Sequence, residues 1–275
     1  MATTKNRGWN GRPYGRPHGR AWLALALLPI LSLGCQNQQR PGEVFQYSVF
    51  SVLMEGGYEG DLSIGSLRQH GNIGLGTFNG LDGEMVMVDG KVYRVQVDGK
   101  AVPADDQMQT PFATVAALRP GEGVDGRVTD PMDLAGLCVF LDRAATLPNS
   151  IYAVRVDGTF EYVRARSLPA QTKPYPPLAE ATKGQKIYRI NSVKGTLVGF
   201  RFPVSTGAVN VPGWHWHFIS ADRQAGGHVL NLRTRDVFFS TTPYRQLRVQ
   251  LPASTVAASP QASAQALKEL MGGPK

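Results

Sequence analysis

Apolar and polar positions alternate over short runs of this chain, and glycine-containing turns bound the runs. Residues 84–88 (EMVMV) meet Asp89-Gly90, and residues 91–97 (KVYRVQV) meet Asp98-Gly99. Residues 151–156 (IYAVRV) meet Asp157-Gly158 and continue as 159–166 (TFEYVRAR). An Asp-Gly pair between alternating apolar residues predicts a hairpin, because both central turn positions need positive φ. Residues 186–193, 195–202, 213–219, 229–233 and 245–251 are further strand candidates. Helical spacing is confined to residues 61–70, 132–145 and 262–271, while residues 45–56 are apolar enough for a strand or a short helix. Residues 169–177 are proline-rich and predict a rigid extended crossing, and residues 101–150 carry no clear period and mark a seam between two halves.

Composition agrees with many short strands and turns. The chain has 275 residues with 31 Gly and 19 Pro, 42% hydrophobic and 18% charged. The expected class is α+β, mostly β, with a sizeable core. The net charge of +8 invites a nucleic-acid reading, but its placement removes it. Lys5, Arg7, Arg12, Arg16 and Arg20 all fall within residues 1–34, which hold no acid, and the rest of the chain has 24 bases against 21 acids. A phosphate-binding surface needs clustered cations, so no nucleic-acid partner is expected.

The first 35 residues have the form of an address. A basic segment leads into the apolar stretch 21–33 (AWLALALLPILSL) and then Gly34-Cys35. This is the layout of a secretory signal, and the stretch is short of the roughly 20 residues that span a bilayer. Gly34-Cys35 resembles a bacterial lipoprotein signal, although Ser32 holds the place where such signals usually carry leucine. The expectation is an exported protein, either anchored to a membrane through a lipid on Cys35 or periplasmic or extracellular. A Cys35–Cys138 disulfide would exclude that lipid. The apolar surroundings of Cys138 (GLCVF) predict a buried thiol without a functional role.

Three of the five histidines lie close together, at His215, His217 and His228. In a strand, His215 and His217 share a face about 6.6 Å apart, a spacing from which two imidazoles can converge on one ion. Trp214, Trp216 and Phe218 then take the opposite face and form a core. The turn at residues 221–227 (ADRQAGG) would return His228 beside the pair on the next antiparallel strand. Three neutral imidazoles suit zinc, with copper, iron or nickel as substitutes. Three protein ligands also leave open positions, as in catalytic rather than structural sites.

Ordered segments across most of the chain make the resemblance specific. They are residues 74–84 (GLGTFNGLDGE), 111–113 (PFA), 152–158 (YAVRVDG), Arg166-Ser167, 173–175 (KPY), 195–200 (GTLVGF), 213–218 (GWHWHF) and 226–228 (GGH). The chain resembles the alpha-acetolactate decarboxylases, zinc enzymes that convert (2S)-2-acetolactate to acetoin and carbon dioxide through a metal-stabilised enediolate. The resemblance implies that His215, His217 and His228 bind Zn2+ and that Glu84 approaches it. It also implies that Arg166 contacts substrate and assists protonation, and that Thr77 lines the pocket. The family uses a glutamate near its C-terminus. Here Glu269 is the acid that stands nearest to that place, so it is the candidate, although its own surroundings read as a solvated helix face. By themselves Glu84, Arg166 and Thr77 read as a hairpin carboxylate, a strand-edge cation and a turn residue.

The implied architecture is a leader over residues 1–35, a mixed N-terminal sheet over 36–150 and a β-barrel-like zinc-binding domain over 151–252. A tail over 253–275 follows, and two copies form a homodimer that shares a sheet. Two other readings compete. A cupin-like β-barrel metal enzyme also uses His-x-His, but usually with a glutamate soon afterwards, and none lies between Phe218 and His228. A non-catalytic metal-binding lipoprotein would carry the histidines without the reaction.

Overall fold

The computed structural model describes residues 42–253. His18, Cys35, Glu269 and the helix expected over residues 262–271 lie outside the described residues. Residues 45–56 hold both of their predicted elements, the end of strand β1 (Glu43–Tyr47) and helix α1 (Phe50–Met54), separated by Ser48 at φ 63°. Residues 61–70 hold strand β2 (Leu62–Ser63), helix α2 (Ile64–Leu67) and a 3-10 turn, with the Ser63 hydroxyl capping α2 at the Ser66 amide. Strands β3 (Ile73–Thr77), β4 (Glu84–Val88) and β5 (Lys91–Val95) form a meander. Asp89 and Gly90 turn β4 into β5 with φ of 54° and 70°, as a primed turn requires. At Asp98-Gly99 only the glycine has positive φ, 87°, and Gly99 N–H closes a wider turn on the Gln96 carbonyl before β6 (Ala101–Pro103). Strands β7 (Gln109–Thr110), β8 (Ala113–Ala116) and β9 (Val124–Val128) and helix α3 (Leu134–Ala144) follow. The rest is β10 (Ile151–Ser167), α4 (Leu178–Ala181), β11 (Lys186–Phe202), β12 (Gly213–Ser220), β13 (Gly226–Tyr244) and β14 (Gln246–Gln250).

One predicted turn is absent. Asp157-Gly158 lies inside the 17-residue strand β10, and residues 186–193 and 195–202 likewise merge into β11. Local turn chemistry loses here to pairing on two sides. Gly158 stands opposite Gly195 of β11 and Val237 of β13, so turning away would abandon both ladders. The glycine serves close approach instead, because a Cβ there would lie 2.2 Å from the Asp236 carbonyl.

The strands form two large sheets. The first has the order β14-β1-β8-β3-β4-β5-β6, and β1–β14 is its parallel pair. The second has the order β10-β11-β12-β13-β9, and β13 also pairs with β10. The line expected at residue 150 is crossed in both directions: β9 joins the second sheet and β14 joins the first. Val86, Val88 and Val95 of the first sheet meet Val198, Phe200 and Ile219 of the second in one apolar layer. The outer face of the first sheet is covered by Leu62, Ile64 and Leu67, and that of the second by Leu137 and Leu141 of α3. Strands β3 and β4 are buried along their whole length, which is why their sequences lack a polar face.

Candidate metal centre

Strand alternation sorts β12 as the sequence predicts. Trp216 and Phe218 are buried, at 2% and 0% exposure, against Leu137 and Leu141 of α3. Burying a side chain of this size contributes about 1.5–3 kcal/mol, so the α3 side clamps the strand. Trp214 differs from expectation. It is only partly buried, its ring stacks on Trp216 at 4.9 Å, and its indole N–H donates to Asp142 Oδ1 at 3.0 Å.

The other face of β12 carries His215 and His217. The reversal at residues 221–225 is held by the Ser220 hydroxyl, which accepts from the Gln224 and Ala225 amides at 3.2 and 3.0 Å. It sets His228 directly opposite His217, and the same row continues to Arg166 of β10, directly opposite His228. Glycine is required beside His228. Gly227 has φ 140°, and a Cβ there would lie 2.5 Å from Tyr188 Oη and 2.7 Å from the Arg166 carbonyl oxygen. Tyr188 Oη donates to the Gly226 carbonyl at 2.8 Å and anchors this segment.

The three imidazoles converge. His215 Nε2 lies 3.1 Å from His228 Nδ1, and His228 Nδ1 lies 3.3 Å from His217 Nε2. All three ligand atoms fall within 4.8 Å of one another. Nitrogens bound to one tetrahedral zinc at 2.0–2.1 Å stand about 3.3 Å apart, so this donor set fits the ion. His217 Nδ1 donates to the Met85 carbonyl at 2.7 Å, which leaves the Nε2 lone pair facing the cluster. A ligand histidine whose other nitrogen holds a carbonyl is the usual outer support of a metal site. Burial is the main reason that all three stay neutral, with the Arg166 charge adding to it: His215 is pushed down to about 3, and His217 and His228 also lie well below the usual histidine range.

Glu84 arrives from the other sheet. It begins β4 after Gly83, which has φ 89° and would place a Cβ 2.3 Å from the Val95 carbonyl. The carboxylate is buried, accepts from Arg166 Nη1 at 3.1 Å through Oε1, and brings Oε2 to 3.5 Å from His217 Nε2. Burial pushes its pKa up to about 7, while the Arg166 charge pulls it down. Thr77 stands opposite Glu84 in the β3–β4 ladder, and its hydroxyl donates to the Gly83 carbonyl at 2.8 Å. Its hydroxyl therefore fixes the bend that aims Glu84.

Thr77, Glu84, Arg166, His215, His217 and His228 all line one cavity of about 470 Å³. Its remaining wall includes Phe50, Leu81, Phe112, Leu168, Leu178 and Val211. Sequence reasoning assigned no role to this wall or to Tyr188, because apolar residues before folding carry no sign of which cavity they will face. Two residues stand apart from the site. His70 stacks on Phe45 at 3.7 Å and receives Arg248 Nη2 at 2.7 Å. Cys138 is half-buried rather than fully buried, with burial pushing its thiol up to about 11, which suits an inert thiol.

Comparison with known proteins places this arrangement among relatives. Residues 44–258 match the family profile of alpha-acetolactate decarboxylase. The alpha-acetolactate decarboxylase of Methylococcus capsulatus is 42% identical over 210 residues, covering 76% of this chain and 80% of its own. That of Methanosarcina mazei is 46% identical over 189 residues, covering 69% and 65%. The crystal structure of alpha-acetolactate decarboxylase from Bacillus subtilis strain 168 superimposes with a TM-score of 0.78 at 30% identity, covering 82% of this chain and 97% of that one.

Proposed function

Since the chain belongs to the alpha-acetolactate decarboxylase family, we propose that it converts 2-acetolactate to acetoin and carbon dioxide with zinc held by His215, His217 and His228. The observation that carries this reading is the convergence of three neutral imidazoles, His217 buried and His215 and His228 partly buried, beside the ion pair of the buried Glu84 with Arg166 in one cavity. When bound, a divalent cation supplies Lewis acidity toward the adjacent hydroxyl and keto oxygens of the substrate.

The chain's own residues do the rest. The Arg166 guanidinium is the cation in this cavity that meets the substrate carboxylate, and the pairing orients the C–COO⁻ bond. Loss of carbon dioxide leaves an electron pair on carbon, and a proton must then reach that carbon. Glu84 is placed to hold it: its carboxyl lies beside Arg166 and His217, and burial pushes its pKa up from the usual carboxylate range.

The test is an acetoin assay on purified protein before and after complete metal removal. Activity is expected to vanish with the metal and to return with zinc. Undiminished activity in metal-free protein would sink the metal role, and a metal-loaded protein that makes no acetoin would sink the reaction.

Three further parts of the reading accompany it. The circuit of pairings from β10 through β11, β12 and β13 back to β10 supports a barrel-like second half. The protein is exported with a lipid on Cys35, and it works as a homodimer. Detergent partitioning of the wild type against Cys35→Ser and light scattering of the purified protein check these two; equal partitioning or a monomer mass rejects them.

A further inference from the structure

The cavity is larger than its proposed substrate needs. At about 470 Å³ it falls in the roughly 300–1,000 Å³ range of pockets that enclose drug-sized ligands. An acid of five carbons is far smaller. The ionisable groups of the lining are gathered close to one another around the histidines, and Thr182 and Gln185 also line the cavity. The wall of Phe50, Leu81, Phe112, Leu168 and Leu178 belongs to a separate apolar cluster, in which these residues are at most 7% exposed. Two methyl groups are all the hydrocarbon that 2-acetolactate can offer such a wall.

We infer that the site takes 2-hydroxy-3-keto acids whose hydroxyl-bearing carbon carries an alkyl chain of four or more carbons, laid along Phe112, Leu168 and Leu178. This rests on the decarboxylase reading and extends its substrate class. The step is unchanged and balanced. The C–COO⁻ bond breaks, carbon dioxide leaves, and the electron pair is shared with the neighbouring carbonyl. One proton then joins the carbon that lost the carboxylate, giving a long-chain 2-hydroxy ketone. Each buried methylene tightens binding about fourfold, the equivalent of about 0.8 kcal/mol.

The experiment compares 2-acetolactate with its analogue bearing butyl in place of the 2-methyl group, using the zinc-loaded full chain. The analogue is expected to show a lower KM and to retain at least a tenth of the catalytic efficiency seen with 2-acetolactate. A smaller ratio alongside normal acetoin formation overturns the inference and leaves the decarboxylase reading standing. Turnover of neither acid condemns that reading instead, and calorimetry then judges the wall by itself. 2-Hydroxyoctanoate should bind at least tenfold more tightly than lactate, and equal or weaker binding overturns the inference. Leu178→Trp should erase that advantage and Leu168→Ala, which strips contact from the same wall, should reduce it. An advantage that survives Leu178→Trp places the chain elsewhere and overturns the assignment.

Discussion

Replacing Arg166 with methionine isolates the charge at the centre of the site. The side chain keeps much of its length, and the Arg166 backbone stays in its ladder opposite His228. What disappears is a guanidinium nitrogen 3.1 Å from Glu84 Oε1, in a pair whose side chains are only 16% and 7% exposed. Solvent cannot take over at that burial. The Glu84 carboxyl loses the group that pulls its pKa down and climbs above about 7, and an incoming carboxylate meets no cation. Removing one partner of a buried, hydrogen-bonded charge pair costs about 2–5 kcal/mol, so kcat/KM should fall roughly 30- to 5,000-fold. Metal content should not change, because the three imidazoles converge without using the arginine as a support. The assay is steady-state acetoin formation with metal stoichiometry measured on the same sample. Arg166→Lys should recover only part of the loss, since an ammonium lacks the planar fork. A fully metallated Arg166→Met protein within threefold of wild-type kcat/KM would refute the reasoning.

Two other perturbations read different parts of the structure. Gly227→Ala forces a Cβ between Tyr188 Oη and the Arg166 carbonyl; it should lower stability by about 1–3 kcal/mol and weaken retention of added divalent metal during dialysis, and unchanged retention would argue against the glycine as the positioner of His228. In metal-free protein, His215 is neutral when folded, with its pKa near 3, but charges in the unfolded chain below about 6.5. Its contribution is therefore lost as pH falls below about 6.5. Glu84, raised to about 7, works in the opposite direction, but His217 and His228 are also lowered and outnumber it. Denaturant titration should show the metal-free protein less stable at pH 5 than at pH 7 by a few kcal/mol; equal stability would count against the burial of neutral imidazoles.

The metal cluster was legible because it is local. His215, His217 and His228 need only a period of two and one reversal to meet, and both follow from short-range rules. Glu84 and Arg166 were reachable only through resemblance to a family, since their contact is made by docking β4 against the second sheet. Nothing in the pattern EMVMV says that its first carboxylate will be buried. Strand β3 (IGLGT) is covered on both faces, and β9 (VDGRV) sits at a sheet edge, so neither shows alternation. Asp157-Gly158 misled for the opposite reason. Its local signal is genuine, but the two neighbouring strands outweigh it.

The separations along the chain also order how the site comes into being. His215 and His228 are 13 positions apart, whereas Arg166 and Glu84 are 82 apart and His217 reaches Met85 across 132. Closing the 82-residue loop costs about 1.6 kcal/mol more chain entropy than closing the 13-residue one. Chain entropy thus favours bringing the β12–β13 imidazoles together over joining Glu84 to Arg166 across the two sheets. The histidine trio is therefore the part of the site that costs less chain entropy to assemble, and its tie to Glu84 and Arg166 the part that costs more.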